Sequence, residues 1–86
     1  MIAVTVHYAG LPRSETGKPE EIWSVEPGAV LSELLEAVAL KYRWQLEDIA
    51  KYIILYNDRS LDVHSWSALK LKENDTLLIM SSIAGG

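Results

Sequence analysis

Few residues of this 86-residue chain are of types that do chemistry, and their spacing narrows the choice further. His7 and His64 could ligate a metal, but they are far apart and no cysteine joins them. They read as surface or hydrogen-bonded structural residues, and no metal site is expected. Glu47-Asp48 and Asp58 with Asp62 could be acid pairs for proton transfer. Both fall in stretches that read as turns, where solvated carboxylates are ordinary. Ser81-Ser82 could supply a nucleophile, yet no histidine is placed to activate it. The absence of cysteine excludes disulfides, zinc ribbons and thiol nucleophiles, and fits a reducing, cytoplasmic setting. No independent enzyme and no bound cofactor is expected. What remains is the ending, "LLIMSSIAGG", where a core-like run passes almost directly into Gly85-Gly86.

The rest of the composition sets the scale. The length suits one domain with a modest core, and 49% apolar residues support a packed globule. A formal charge of −4 makes nucleic-acid binding a poor fit and a basic partner surface a better one. The opening "MIAVTVHY" alternates and has no basic leader, so it does not read as a signal peptide. The apolar runs are far short of a membrane span.

The elements that must position the ending can be read in order. Ile2, Val4, Val6 and Tyr8 share one face of an opening strand. "AGLPRSETGKPEE" is expected to be a long solvated loop, whose Arg13 and Lys18 could meet an acidic partner. "EIWSVE" is a second strand, followed by a Pro27-Gly28 turn. Leu31, Leu34, Leu35, Val38, Ala39 and Tyr42 follow helical spacing and predict a helix over 31–43. Its start lacks a good cap at Val30, with Ser32 as an alternative. "WQLEDIA" is ambiguous between loop and helical turn. "KYIILYN" reads as a strand buried on both faces, "SLDV" as a short edge strand and "HSWSALK" as a connector. Asn57-Asp58 and Asn74-Asp75 are turns. "TLLIM" closes the domain as a central strand. One amphipathic helix over one sheet face gives a two-layer α+β domain.

Taken in order, these pieces resemble the ubiquitin-like sulfur carriers of the MoaD/ThiS type, the MoaD branch more closely. The resemblance rests on an opening strand ending in Tyr8, the Thr16-Gly17-Lys18 segment, "EPGAVLSELLEAV", "LKLKENDTLLI" and the terminal "IAGG". It implies a β-grasp fold: a mixed sheet of four to five strands covered by one main helix, with first and last strands adjacent at the centre. It divides the chain into a domain over 1–80 and a protruding tail over 81–86. Two departures stand out. Two prolines often precede the family's tail where Ser81-Ser82 stand here, and the Gly-Asp of its last turn is Asn74-Asp75.

The resemblance also implies a chemistry. Gly86 would be adenylated by an E1-like enzyme of the MoeB/ThiF type, at the cost of ATP. A sulfur nucleophile, fed indirectly by a cysteine desulfurase, would displace AMP and leave a thiocarboxylate on Gly86. Ser81, Ser82, Ile83, Ala84 and Gly85 would form the segment that enters a partner, and glycine would leave that entry unobstructed. The recipient implied is a MoaE-like large subunit of molybdopterin synthase. Alternatives are thiazole formation for thiamin or another sulfur-transfer pathway, and a ubiquitin-like modifier or interaction module. Trp23, Trp44 and Trp66 are either core or docking residues, and sequence does not separate them.

Overall fold

Strand β1 (Ile2–Ala9) alternates as its spacing predicts, with Val4, Val6 and Tyr8 buried and the residues between them half-buried. The computed structural model describes residues 1–81 of the chain. After β1 come α1 (Leu11–Thr16), β2 (Glu20–Val25), α2 (Leu31–Tyr42), α3 (Leu46–Ala50), β3 (Ile53–Tyr56), β4 (Arg59–Ser60) and β5 (Asp75–Met80). A 3₁₀ turn over Val63–Ser65 lies between β4 and β5.

The five strands form one mixed sheet in the order β2-β1-β5-β3-β4. β1 and β5 run parallel at its centre, with Val6 opposite Leu77, Tyr8 opposite Ile79 and Ala9 opposite Met80. β2 and β3 flank them antiparallel. This is the ubiquitin-like β-grasp. Leu31, Leu34, Leu35, Val38 and Ala39 of α2 form the helical half of the core. They cluster with Val4, Val6, Ile54, Leu77 and Ile79 from the sheet and with Ile49, Trp66 and Leu71 from the connections. Each fully buried aliphatic side chain contributes on the order of 2 kcal/mol, which is how so short a chain sustains a fold.

Several expectations need correction. The "AGLPRSETGKPEE" segment is not all loop: Leu11–Thr16 is helical, with Pro12 buried in its first turn and Gly17 (φ 73°) closing it. Proline fits there because the first helical amides need no intrahelical acceptor. β3 is not buried on both faces. Ile54 is buried, but Ile53 is 40% exposed, because the sheet face opposite α2 is open. β4 is only Arg59–Ser60, closed onto β3 by Asn57 and Asp58, both at positive φ. α2 does start after Val30, and Ser32 is not its cap. Glu33 accepts from the Val30 amide at 2.9 Å, which supplies half of a capping box. Arg43 closes the helix in the left-handed conformation, at φ 60°. "WQLEDIA" contains α3, where Asp48 accepts from the Gln45 amide at 3.2 Å, so Asp48 caps a helix and does not form an acid pair with Glu47.

Candidate functional site

The site begins where β5 ends. Met80 lies between Ala9 of β1 and Ile53 of β3, so the chain leaves from the middle of the sheet. Ser81 follows, and it is tied down. Its Oγ accepts a hydrogen bond at 3.0 Å from the backbone amide of Leu11, the first residue of α1. That amide is one of the orphan donors at a helix start, normally satisfied by a local cap. Gly10 offers no side chain for this, and Ser81 serves from seventy positions away.

Gly10 is needed for two reasons. Its φ is +66°, where L side chains are strained. A Cβ there would also sit 2.2 Å from the Ser81 oxygen. The Gly10 carbonyl accepts from Ser14 at 3.2 Å, which sets the first turn of α1. On the other side of α1, Glu15 accepts from the Tyr52 hydroxyl at 3.3 Å. The short helix thus bridges the base of the tail to the start of β3.

Beside this exit lies a polar hub that sequence reasoning missed. The Glu21 carboxylate receives the hydroxyls of Tyr8 (2.9 Å) and Tyr42 (2.8 Å) and the indole of Trp23 (3.0 Å). Lys18 (2.9 Å) and Lys41 pair with its other oxygen. Burial by itself would raise the Glu21 pKa. The bonds from Lys41, Lys18, Tyr42 and Tyr8 outweigh it and hold the carboxyl near 2. Tyr8 moves the other way: burial, reinforced by the Glu21 charge, keeps its hydroxyl protonated. Bonding to Glu21 raises the Lys18 ammonium, so Lys18 is engaged within the chain rather than held out for a partner. Tyr8, Tyr42, Trp44 and Tyr52 pack edge-on or tilted, with ring centroids 5.6–6.3 Å apart. The hub and these rings pin the ends of β1 and α2 together next to α1.

The turn before β5 is held in the same way. The buried Asp75 carboxylate accepts from the Tyr56 hydroxyl, from Asn57 Nδ2 at 3.1 Å and from the Lys72 amide at 2.8 Å. Burial opposes its ionisation, but these donors hold its pKa below the usual value. Burial and the Asp75 carboxylate together push the Tyr56 hydroxyl up to about 12. Asn74 has φ 68°, the left-handed turn residue that its type predicts. An asparagine therefore serves where glycine stands in the resembled motif.

The remaining candidates separate. Ser81 is brought to the exit, whereas Ser82, Ile83, Ala84, Gly85 and Gly86 lie outside the described residues. His7 faces Glu20 at 3.7 Å on the open sheet face, and His64 is exposed beside the Asp62 that caps its amide. Among the described residues no group of three or more His, Cys, Asp or Glu could hold a metal, and no helix is long and apolar enough to cross a membrane. Trp66 is buried, while Trp23 and Trp44 are half-buried and committed to the hub and its rings.

Comparison with known proteins adds to this geometry. Residues 6–86 match the model of the ThiS family. A putative molybdopterin converting factor subunit 1 from Pyrococcus furiosus superposes with a TM-score of 0.80 at 20% identity, covering 96% of this chain and all of that one. Small archaeal modifier protein 1 from Methanosarcina acetivorans gives 0.77 at 23% identity, covering 100% and 98% of the two chains. Urm1 from Trypanosoma brucei gives 0.74 at 20% identity, covering 98% and 95%. No curated protein sequence gives a significant match.

Proposed function

Since the chain belongs to the ThiS family of small ubiquitin-like carriers, which are not catalytic domains in themselves, we propose that it carries sulfur as a thiocarboxylate on Gly86. The observation that carries this reading is the exit: a central strand ending at Met80, Ser81 tethered to α1, and a sequence that continues Ser-Ile-Ala-Gly-Gly.

A carboxylate is a poor acyl donor because oxide is a poor leaving group. In the proposed cycle the Gly86 carboxylate attacks the α-phosphorus of ATP on an E1-like partner, and pyrophosphate leaves. Hydrosulfide, or a sulfur equivalent drawn from a cysteine desulfurase, then attacks the acyl carbon. AMP leaves with the C–O bond, and the C–S bond forms. The resulting thiocarboxylate is anionic at neutral pH and nucleophilic, much as thiolate character governs cysteine reactivity. The chain contributes positioning. Its sheet holds the departure point, and Gly85-Gly86 leave no side chain beside the reacting carbon. Ordering each tail residue in a partner costs on the order of 1–2 kcal/mol, which docking of the folded part must offset.

The recipient we favour is the large subunit of a molybdopterin synthase, with the protein acting in the cytoplasm. The superposition on a molybdopterin converting factor subunit supports that choice, and the ThiS family match supports thiazole formation as the alternative. A second reading, modification of lysines through Gly86, is favoured by the likeness to small archaeal modifier protein 1. One experiment separates them. The chain is incubated with ATP and a MoeB-type activating enzyme, then with sulfide and a MoaE-like subunit charged with its precursor. Dithiolene formation that stops when Gly85-Gly86 are deleted supports the first reading. Activation followed only by conjugates on lysines would favour the second.

A further inference from the structure

On the helical side, away from the exit, a cleft of about 310 Å³ opens between α2, α3 and the 3₁₀ turn. Its wall is Leu35, Ala50 and Trp66, and Leu46 and Val63 stand beside it. Leu46 is 51% exposed and Val63 47%, so two of the chain's large exposed apolar side chains meet at one opening. Trp66 is held rigidly there: its carbonyl accepts from Ser32 at 2.9 Å, and its amide donates to Val63 at 3.3 Å. Its indole N–H, however, is buried with no acceptor among the described residues. A buried donor without a partner costs roughly 1–3 kcal/mol and is uncommon in a finished core. Glu36 and Glu47, both exposed, stand at the rim, and no lysine or arginine lines the cleft.

We propose that this cleft is a docking site for a protein segment that presents a bulky apolar side chain flanked by lysine or arginine. The apolar side chain would lie between Leu35, Leu46, Val63 and Trp66, and the cations would meet Glu36 and Glu47. The indole of Trp66, which is 8% exposed, would form the floor of the contact. The charges sit on the rim and the apolar groups at the centre, which is the usual layout of a binding hot spot. That layout suits an amphipathic polypeptide better than a small molecule enclosed in a polar-lined pocket. The cleft shares no residue with Gly10, Leu11 or Ser81. The proposal therefore stands or falls apart from the sulfur-carrier reading.

The test is selection of random linear peptides displayed on phage against the immobilised full chain, followed by titration of the best peptide into isotope-labelled protein by NMR. Enriched peptides should pair a Leu, Met, Phe or Trp with Lys or Arg within one helical turn. They should shift the Trp66 indole proton and the amides of Leu46 and Val63. Leu46→Asp and Val63→Asp should each weaken binding about tenfold, at exposed positions that leave the unfolding curve in place. Added salt should weaken binding, and Glu36→Gln with Glu47→Gln should remove most of that dependence. Failure to enrich, peptides without cations, or binding that survives both aspartate substitutions would overturn the proposal. So would self-association of the chain through this cleft.

Discussion

The Oγ of Ser81 lies 3.0 Å from the backbone nitrogen of Leu11 and accepts its hydrogen bond. This one contact joins the end of the central strand to the start of the short helix beside it. Proline, common at this step in the family, stiffens the chain by restricting φ. Serine does not restrict φ, but here it is tethered through its side chain. A side-chain hydrogen bond, and not a ring, holds the step after Met80.

The contact predicts a non-additive double-mutant cycle. Ser81→Ala removes the acceptor at a largely exposed amide and should cost about 0.5–1 kcal/mol, with faster hydrogen exchange at Leu11. Gly10→Ala adds left-handed strain and a Cβ 2.2 Å from the serine oxygen, and should cost about 2 kcal/mol or more. With both changes the oxygen is gone, and the nearest atoms of residue 81 lie 3.5 Å away or more. The double variant should therefore lose less stability than the sum of the two, by about 0.5 kcal/mol or more in urea unfolding. Strict additivity would mean that the two residues do not touch in solution.

Glu21 predicts a specific acid sensitivity. Its folded pKa is about 2 against 4.5 for the free side chain, so the unfolded state binds the proton more readily. The stabilisation is present above about pH 5 and is lost as pH falls toward 2, amounting to about 3 kcal/mol for a side chain only 10% exposed. Asp75, also lowered, adds to the same loss, so the wild-type curve alone does not isolate Glu21. The difference between wild type and Glu21→Gln does. It should be largest near neutrality and shrink toward pH 2. A gap that is constant across pH 2–7 would contradict the hub.

Two leucines of the same type should behave oppositely. Leu77, 1% exposed at the centre of β5, should cost about 2–5 kcal/mol when changed to alanine, because a cavity opens beneath α2. Leu40, 83% exposed on α2, should cost no more than about 0.5 kcal/mol. Thermal unfolding of both variants checks that Leu77 lies in the core beneath α2 and Leu40 on its outer face.

What was legible in the sequence follows the range of the forces involved. α2 and β1 were readable because their burial repeats along the chain itself, at Leu31, Leu34, Leu35 and Val38, and at Val4, Val6 and Tyr8. The left-handed turn at Asn74 was readable from the residue type. α1 was not. It has six residues, contains Pro12, and takes its N-terminal acceptor from Ser81, which no local window contains. Glu21 was not readable either. In "EIWSVE" it looks like a solvated strand residue, and its partners come from β1, α2 and the loop before β2. β3 misled because an apolar strand beside an open sheet face reads like one buried on both sides. Of the proposed tail, only Ser81 can be placed, and the role of Gly86 rests on chemistry.

The most direct test of that role is intact-protein mass spectrometry after incubation with ATP, a MoeB-type activating enzyme and sulfide. The account predicts a mass gain equal to replacing one oxygen by one sulfur, located by fragmentation at Gly86 and lost when Gly86 is removed. If the C-terminal carboxylate keeps both oxygens while a known carrier in the same reaction is converted, the sulfur-carrier account is wrong.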